Sequence, residues 1–235
     1  MASAAPTHLN PSELGKKEHW DEAYARDYSN LLAGDTDSAE ASWFQEVNAE
    51  AKVATYLTSS GLDLDSQRTS FLDIGMGNGS MCTSLVENGF CGKMVGVDYS
   101  EESVKLARTL REGKEGMGGV EFVQWDVMKE EPGPWLPEEG FTVVLDKGTF
   151  DAISLSEEVD AAGRRVCEGY RERVEKLVAK GGLFLVTSCN WTEEELERWF
   201  TDGDLDVYGK IKYPTFKFGG QTGQSISSLC FRKRP

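Results

Sequence analysis

The chain contains 235 residues, 39% of them hydrophobic and 28% charged, a length and composition that suit one folded domain rather than two. Forty acidic residues against 25 basic ones give a formal net charge of −15, which argues against a protein that holds the phosphate backbone of a nucleic acid. Five cysteines without a C-x-x-C pair and only two histidines disfavour a disulfide framework, a zinc site and a Ser-His triad.

The amino-terminal part of the chain shows helical periodicity only. Residues 1–16 are small, polar and Pro-containing, and they are predicted to be a disordered tail. Trp20, Tyr24 and Tyr28 recur at every fourth position, which predicts one face of a helix. The predicted helices cover residues 19–32 and 45–59. We therefore expect a helical cap (17–60) at the start of a single domain, which continues to residue 235.

Strands and helices alternate after this cap. The predicted strands cover 70–74, 93–97, 120–124, 141–145, 183–187, 205–211 and 227–232. The predicted helices cover 81–88, 101–111 and 164–179, with a further short helix after Thr192. Gly181 and Gly182 are interpreted as the end of the third helix, and the acidic stretch 129–140 as a loop. This alternation predicts an α/β fold: a Rossmann-like, seven-stranded, mostly parallel sheet that ends in a C-terminal antiparallel β-hairpin.

A glycine-rich segment, FLDIGMGNGS, contains the first predicted strand and the turn after it. Asp73 lies near the end of the strand, and Gly75, Gly77 and Gly79 precede the next helix. Glycines at such a turn let the backbone approach a ligand closely, and the start of the helix offers unpaired N–H groups. A dinucleotide fingerprint needs its third glycine where Ser80 stands, so a dehydrogenase is disfavoured. The spacing Asp-x-Gly-x-Gly-x-Gly resembles motif I of the class I S-adenosylmethionine-dependent methyltransferases.

Acidic residues also end the next two predicted strands. Asp98 ends the strand in VGVDYS, where its carboxylate can accept hydrogen bonds from two ribose hydroxyl groups. Asp126 ends the strand in VQWDVM, a position suited to an adenine amino group, and the N–H of Val127 can donate to the adenine ring. A helix cap explains one aspartate after a strand. Three such acids on consecutive strands favour a nucleoside cofactor at this edge of the sheet.

Three segments after the fourth predicted strand are similar to one family of enzymes. They are DKGTFDAIS (146–154), TSCNWT (187–192) and KFGGQTGQS (217–225). With EHWD and Trp43-Phe44 in the amino-terminal part, they resemble the lysine methyltransferases that modify translation elongation factor 1-alpha. The resemblance extends from about residue 17 to the C-terminus, and it departs at Met76 and in the segments 129–140 and 157–169.

The resemblance implies a class I methyltransferase fold, S-adenosyl-L-methionine as cofactor and a protein-lysine N-methyltransferase activity. The implied cofactor site consists of Trp43, Asp73, Gly75, Gly77, Gly79, Asp98, Tyr99, Asp126 and Val127. Asp146 is expected to act as the catalytic residue that orients the amine or the cofactor. Phe150, Trp191 and Phe218 are expected to contact the substrate lysine, because aromatic rings suit an aliphatic stem and an ammonium group. Ordinary core packing is the alternative for each ring.

The partners and the compartment follow from charge and hydropathy. Residues 207–235 hold six basic side chains and no acid, which leaves 19 basic against 40 acidic residues, a charge of −21, in the remainder. Such an acidic body favours a basic protein substrate, and we expect a monomer that binds neither nucleic acid nor membrane. No apolar run reaches the ~20 residues of a membrane helix, and no secretory pattern opens the chain, so the expected compartment is the cytoplasm.

The amino-acid sequence is also compatible with two other functions. Methylation of RNA or of a small molecule fits the glycine-rich segment equally well, although the net charge and the DKGT sequence disfavour it. A protein that binds S-adenosylmethionine without catalysis has the same fold, and the presence of Asp73, Asp98 and Asp126 disfavours that reading without excluding it.

Overall fold

A seven-stranded sheet organises the chain in the computed structural model, which describes residues 7–59, 61–218 and 221–235 and, for 215–224, the backbone alone. The strands are β1 (Phe71–Ile74), β2 (Met94–Asp98), β3 (Val120–Gln124), β4 (Phe141–Lys147), β5 (Val178–Ser188), β6 (Leu205–Ile211), β7 (Thr215–Phe218), β8 (Gln221–Gln224) and β9 (Ser227–Lys233). Their order in the sheet is β3-β2-β1-β4-β5-β9-β6, while β7 and β8 pair with each other.

The direction of the strands confirms the predicted Rossmann-like sheet. Strands β1 to β5 pair in parallel, and β9 pairs antiparallel to both β5 and β6. The carboxyl ends of β1, β2, β3 and β4 therefore lie along one edge of the sheet, where open α/β sheets bind ligands.

Helices cover both faces of the sheet. They are α1 (Lys17–Leu32), α2 (Thr36–Glu40), α3 (Ala49–Leu57), α4 (Ser80–Glu87), α5 (Glu101–Arg111), α6 (Thr149–Ser154), α7 (Tyr170–Leu177) and α8 (Glu193–Phe200). Successive side chains of a strand point to opposite faces, so Phe71 packs in the core beside α3 and α4. Leu72 packs in the second core, beside α7 and α8. Both side chains are fully buried.

Two predicted helices are shorter in the structure. The helix predicted over 45–59 is a 3-10 turn followed by α3, because Asn48 adopts a left-handed conformation (φ 53°) between them. The helix predicted over 164–179 ends where β5 begins at Val178, which pairs with Phe141 of β4. Gly181 and Gly182 thus lie inside β5 and do not end a helix. The helices α2 and α6 were not predicted.

Residues 7–16, the described part of the segment before α1, pack against the domain, whereas a disordered tail is predicted over 1–16. Leu9 packs on the core beside α7 and α8. The N–H of Ser12 donates to the carbonyl oxygen of Leu155 at 3.1 Å. A Cβ atom on Gly15 would overlap the same carbonyl group, so the close approach of these two backbones requires glycine. Within the described ranges, no helix combines the length and the apolar character needed to span a bilayer.

Candidate active site

Two adjoining cavities lie at the carboxyl ends of β1 to β4. The space that they enclose, including the part open to solvent, is about 650 and 590 Å³. Both cavities are lined by Leu14, Tyr99, Thr149 and Ala152. The larger cavity extends from Asp98 and Gly75 to α6 and the end of β5, and the smaller one extends along the chain after β3. We refer to the two cavities together as the cleft. Its position at this edge matches the site predicted from the acidic strand ends.

The glycine-rich turn is fixed by contacts that exclude larger residues. Gly75 and Gly77 have φ values of 65° and 55°, in the left-handed region that disfavours side chains. A Cβ atom on Gly75 would overlap Oγ1 of Thr149, which donates to the carbonyl oxygen of Ile74 at 2.7 Å. A Cβ atom on Gly77 would lie 2.9 Å from the hydroxyl oxygen of Tyr24. Gly79 forms the left-handed N-cap of α4.

Asp98 lies at the end of β2 and lines the larger cavity. One carboxylate oxygen accepts the N–H of Gly77 at 3.1 Å, and the other accepts the N–H of Ser100 at 2.9 Å. Burial raises its pKa to about 6, although these hydrogen bonds oppose the shift. Because each carboxylate oxygen can accept a second hydrogen bond, Asp98 keeps acceptor capacity toward the cleft.

The chain after β3 supplies the smaller cavity with Asp126 and Val127. Asp126 lies two residues beyond the end of β3, and its Oδ1 accepts the N–H groups of Met128 at 2.9 Å and Lys129 at 3.2 Å. This turn leaves the N–H of Val127 without an acceptor in the part of the chain that the structure describes. A free donor therefore stands at the position predicted for an adenine ring.

Asp73 is buried beneath the glycine-rich turn and is not among the residues that line the cleft. Its exposed fraction is 3%, and its Oδ2 atom has no hydrogen-bond partner within the described residues. Burial raises the pKa of this carboxyl to about 8, and the nearby charge of Lys147 opposes the shift. Asp73 therefore does not line the cleft, whereas the prediction placed it in contact with the cofactor.

Buried carboxyl groups make the stability of the ligand-free protein fall as pH rises. Burial raises the pKa of Asp73 to about 8, of Asp146 to about 7 and of Asp98 to about 6, against ~3.9 for an exposed aspartate. Between about pH 4 and 8 the folded state therefore holds protons that the unfolded state has released, and the free energy of unfolding decreases toward pH 8. We expect a lower melting temperature at about pH 8.5 than at about pH 6.

The Asp73→Asn variant is the matched control for that pH dependence. Its neutral side chain has no proton to lose, so the fall in melting temperature is expected to be smaller than in the wild type. A melting temperature that rises between these two pH values in the wild type contradicts the assignment.

Asp146 holds the start of α6 and does not reach the cleft. Its Oδ1 accepts the N–H groups of Thr149 at 2.9 Å and Phe150 at 3.2 Å, and its Oδ2 accepts the hydroxyl of Tyr170 at 2.5 Å. The side chain is 1% exposed. The prediction that Asp146 orients the amine therefore does not fit this geometry, because the carboxylate is occupied and turned into the protein.

Two of the aromatic residues predicted to contact substrate pack in the core instead. Phe150 is 1% exposed and stacks on Tyr170, with ring centroids 5.4 Å apart. Trp191 is 4% exposed, and its centroid lies 6.0 Å from that of Phe150. Neither lines the cleft, so core packing is the correct interpretation of both rings. The third, Phe218, lies in β7, and its side chain is outside the described residues.

Other aromatic residues do line the cleft. Trp43 is 45% exposed, and its ring centroid lies 5.5 Å from that of Trp20 and 6.0 Å from that of Phe44. Tyr99, which was also predicted to bind the cofactor, lies where the two cavities meet. The indole N–H of Trp20 donates to the carbonyl oxygen of Leu14 at 2.8 Å. The segment before α1 thereby forms one wall of the cleft.

Lys147, to which the sequence alone assigns no role, joins the strand end to this aromatic wall. Its ammonium group donates to the carbonyl oxygen of Trp43 at 3.2 Å and pairs with Glu50 at 3.2 Å. Glu50 also accepts the hydroxyl of Ser80, at the start of α4, at 2.6 Å. Lys147, Glu50 and Ser80 thus connect the DKGT sequence, the aromatic wall that contains Trp43, and the helix start after the glycine-rich turn.

Asp151 is a functional candidate that sequence reasoning missed. It lines the larger cavity together with Cys189 and Asn190. Its Oδ2 accepts the N–H of Cys189 at 2.8 Å, and its Oδ1 accepts the hydroxyl of Ser188. Burial raises the pKa of Asp151, and these hydrogen bonds oppose the shift. The sequence DKGTFD contains two aspartates, but only the turn at Gly148 decides which of them faces the cleft.

The fold is shared with known methyltransferase structures. N-methyltransferase NodS from Bradyrhizobium japonicum, solved in complex with S-adenosyl-L-homocysteine, superposes with a TM-score of 0.59 over 91% of this chain and 98% of that chain, at 14% identity. At this identity the similarity shows the fold alone.

Sequence comparisons identify the family. A methyltransferase domain model matches residues 65–225. The chain is 40% identical to protein-lysine N-methyltransferase EFM4 of Saccharomyces cerevisiae, over 96% of this chain and 97% of that protein. It is 35% identical to EEF1A lysine methyltransferase 2 of Homo sapiens, over 95% and 88% of the two chains. The chain therefore belongs to the methyltransferase domain family and, within it, to the protein-lysine N-methyltransferases that include these two enzymes.

Proposed function

We propose that this protein uses S-adenosyl-L-methionine to methylate a lysine of translation elongation factor 1-alpha in the cytoplasm. The names of the relatives support the substrate, since three of them are described as EEF1A lysine methyltransferase 2 and share 33% to 35% identity with this chain. The shape and polarity of the cleft support the cofactor.

The observation that carries the cofactor assignment is the set of unfilled polar groups along the cleft. Asp98 retains an acceptor position on each carboxylate oxygen after binding Gly77 and Ser100, which suits two ribose hydroxyl groups. The N–H of Val127, free among the described groups, suits a ring nitrogen of adenine. The two groups line adjoining cavities, so one elongated nucleoside can reach both.

The residues of this chain contribute binding, orientation and exclusion of water. When bound, S-adenosyl-L-methionine supplies an activated methyl group on a sulfonium centre. Trp20, Trp43 and Phe44 line one side of the larger cavity. Because apolar walls exclude water, they lower the pKa of an incoming lysine from its ordinary value of ~10.4 and favour its neutral form. Transfer between two held groups gains most of its rate from such positioning.

The formal net charge of the chain, −15, suits a basic protein surface. Negative charge of this kind attracts a basic partner and repels RNA. We expect a monomer with no direct affinity for nucleic acid.

Labelled S-adenosylmethionine and a cell lysate test the function. The wild-type protein is expected to label one protein band of elongation-factor size, and ribonuclease treatment is expected to leave the label unchanged. Purified elongation factor 1-alpha should accept the same label. Label that ribonuclease removes would support RNA methylation, and the absence of label with intact cofactor binding would support a non-catalytic protein. Either result contradicts the proposal.

A further inference from the structure

Among the residues that the structure describes, two carboxylates, Asp98 and Asp151, line the larger cavity. Asp98 ends β2, whereas Asp151 is held by the chain at the end of β5. Two strands, β1 and β4, lie between β2 and β5, so the anchors of the two acids are separated by roughly 14 Å at ~4.8 Å per strand. If Asp98 binds the ribose, Asp151 faces the far end, where a substrate enters.

The carboxylate of Asp151 is held in a fixed position by donors at the end of β5. Its oxygens accept the hydroxyl of Ser188 and, at 2.8 Å, the N–H of Cys189. The Ser188 oxygen in turn accepts the N–H groups of Asn190 at 3.1 Å and Trp191 at 2.9 Å. The thiol of Cys189 also acts on this carboxylate, and the residue is 6% exposed. Because a thiol is a weak donor, an ammonium group that enters the cleft can take its place on Asp151.

Two aromatic residues, Trp43 and Phe44, line the same cavity as this carboxylate. Trp43 is exposed, and Phe44 is buried with its ring edge 3.5 Å from the position of a Cβ atom on Gly148. Phe44 adopts a left-handed backbone (φ 65°), a strained state for a large residue that is typical of functional sites. Lys147 holds this segment and is itself paired with Glu50, so it does not neutralise Asp151 directly.

We infer that Asp151 receives the ε-ammonium group of the target lysine and removes its proton, while the lysine stem packs on Trp43 and Phe44. This inference rests on the proposed function. In the step, one N–H bond of the ammonium breaks, its electron pair remains on nitrogen, and the proton bonds to a carboxylate oxygen of Asp151. The amine gains the lone pair that accepts the methyl group, and the carboxylic acid later releases its proton to solvent.

The surroundings of Asp151 favour this role. Burial raises its pKa, which makes the carboxylate a stronger proton acceptor than an exposed aspartate. The charged and titratable groups nearby are Asp146 and Lys147 from β4, Cys189 after β5 and Glu46 of the 3-10 turn. Burial and the charge of Asp151 raise the pKa of the Cys189 thiol to about 12, so that thiol stays neutral and does not compete for the proton.

The Asp151→Asn variant tests the inference. We expect turnover on elongation factor 1-alpha to fall by about 100-fold, with affinity for S-adenosylmethionine within twofold of wild type by calorimetry. At saturating S-adenosylmethionine, which removes the effect of Asp98 protonation on cofactor binding, kcat/KM for the protein substrate is expected to fall toward acidic pH in the wild type as Asp151 becomes protonated. The variant is expected to lose this acid limb of the pH profile. Binding of the protein substrate in the presence of S-adenosylhomocysteine should weaken by about tenfold or more.

Asp146→Asn is the matched control, because it changes the other buried aspartate of DKGTFD. It is expected to lower the melting temperature and to retain the acid limb. Should Asp151→Asn fail to fold, Ser188→Ala decides: removing the hydroxyl that stabilises the carboxylate raises the pKa of Asp151, so the acid limb is expected to move to higher pH.

Three results overturn the inference while the proposed function stands. The first is an Asp151→Asn variant whose pH profile equals that of the wild type, and the second is an unchanged affinity of that variant for the protein substrate. The third is a Ser188→Ala variant whose acid limb lies at the same pH as in the wild type. In each case the wild-type enzyme itself methylates the factor. A wild-type enzyme that labels no lysine at all overturns the proposed function itself.

Discussion

Replacement of Gly77 by valine is expected to abolish S-adenosylmethionine binding while the protein remains folded. The residue has a φ of 55°, where a side chain costs roughly 1–2 kcal/mol or more. Its Cβ atom would lie 2.9 Å from the hydroxyl oxygen of Tyr24, which lines the cleft. Relieving that contact moves the turn, and with it the N–H that donates to Asp98. Calorimetry measures the affinity, and far-UV circular dichroism measures the fold.

Gly113→Val is the matched control for this variant. Gly113 has a similar φ of 72°, and a Cβ atom there would meet no other atom within 4 Å. The two variants carry the same kind of backbone strain, but only the one at Gly77 alters the cleft. We expect Gly113→Val to be destabilised and to bind the cofactor. Wild-type affinity in Gly77→Val would show that the turn does not form the cofactor site.

Replacement of Asp98 by alanine is expected to weaken S-adenosylmethionine binding by ~2–3 kcal/mol, about 30- to 150-fold. The variant loses two charge-assisted hydrogen bonds to the ribose and the acceptor for the N–H groups of Gly77 and Ser100. Since the pKa of Asp98 is raised to about 6, wild-type affinity should also decrease as the pH falls through 6. The control is Asp206→Ala, which removes an exposed acid of β6 that pairs with Arg234. This variant is expected to bind S-adenosylmethionine with wild-type affinity.

The main features of the fold follow from local patterns in the sequence. The predicted alternation of strands and helices is present in the structure. Two of these helices begin at residues typical of helix starts, since Ser100 caps α5 and Thr192 forms a capping box with Glu195 at α8. The errors arise where distant pairing outweighs local preference. Val178 reads as the continuation of a helix, but it pairs with Phe141, which is 37 positions earlier in the printed chain, and no local pattern contains that partner.

The site was predicted less completely, because a side chain's direction depends on turns that the sequence does not specify. Asp98 and Val127 reach the cleft from strand ends, as the topology requires. Asp146 is predicted to orient the amine or the cofactor, yet the N–H groups at the start of α6 bind its carboxylate. Helix α6 has six residues, too few to show a hydrophobic period, and it follows the N-cap Gly148, whose φ is 90°.

Aromatic residues posed a similar difficulty. Phe150 and Trp43 both lie in segments that resemble the methyltransferase family, and either ring suits a lysine stem. Phe150 belongs to a helix whose inner face packs on Tyr170, whereas Trp43 lies between short helices and is 45% exposed. Composition does not distinguish the two, because burial is decided by packing between distant elements.

Tandem mass spectrometry of elongation factor 1-alpha, after incubation with the purified protein and S-adenosylmethionine, tests the central claim most directly. We predict that the wild-type protein methylates lysine side chains only. At a cofactor concentration below the wild-type dissociation constant, Asp98→Ala is expected to give much less of this methylation. An unmodified factor, or methyl groups on residues other than lysine, would contradict the assignment of this cleft to protein-lysine methylation.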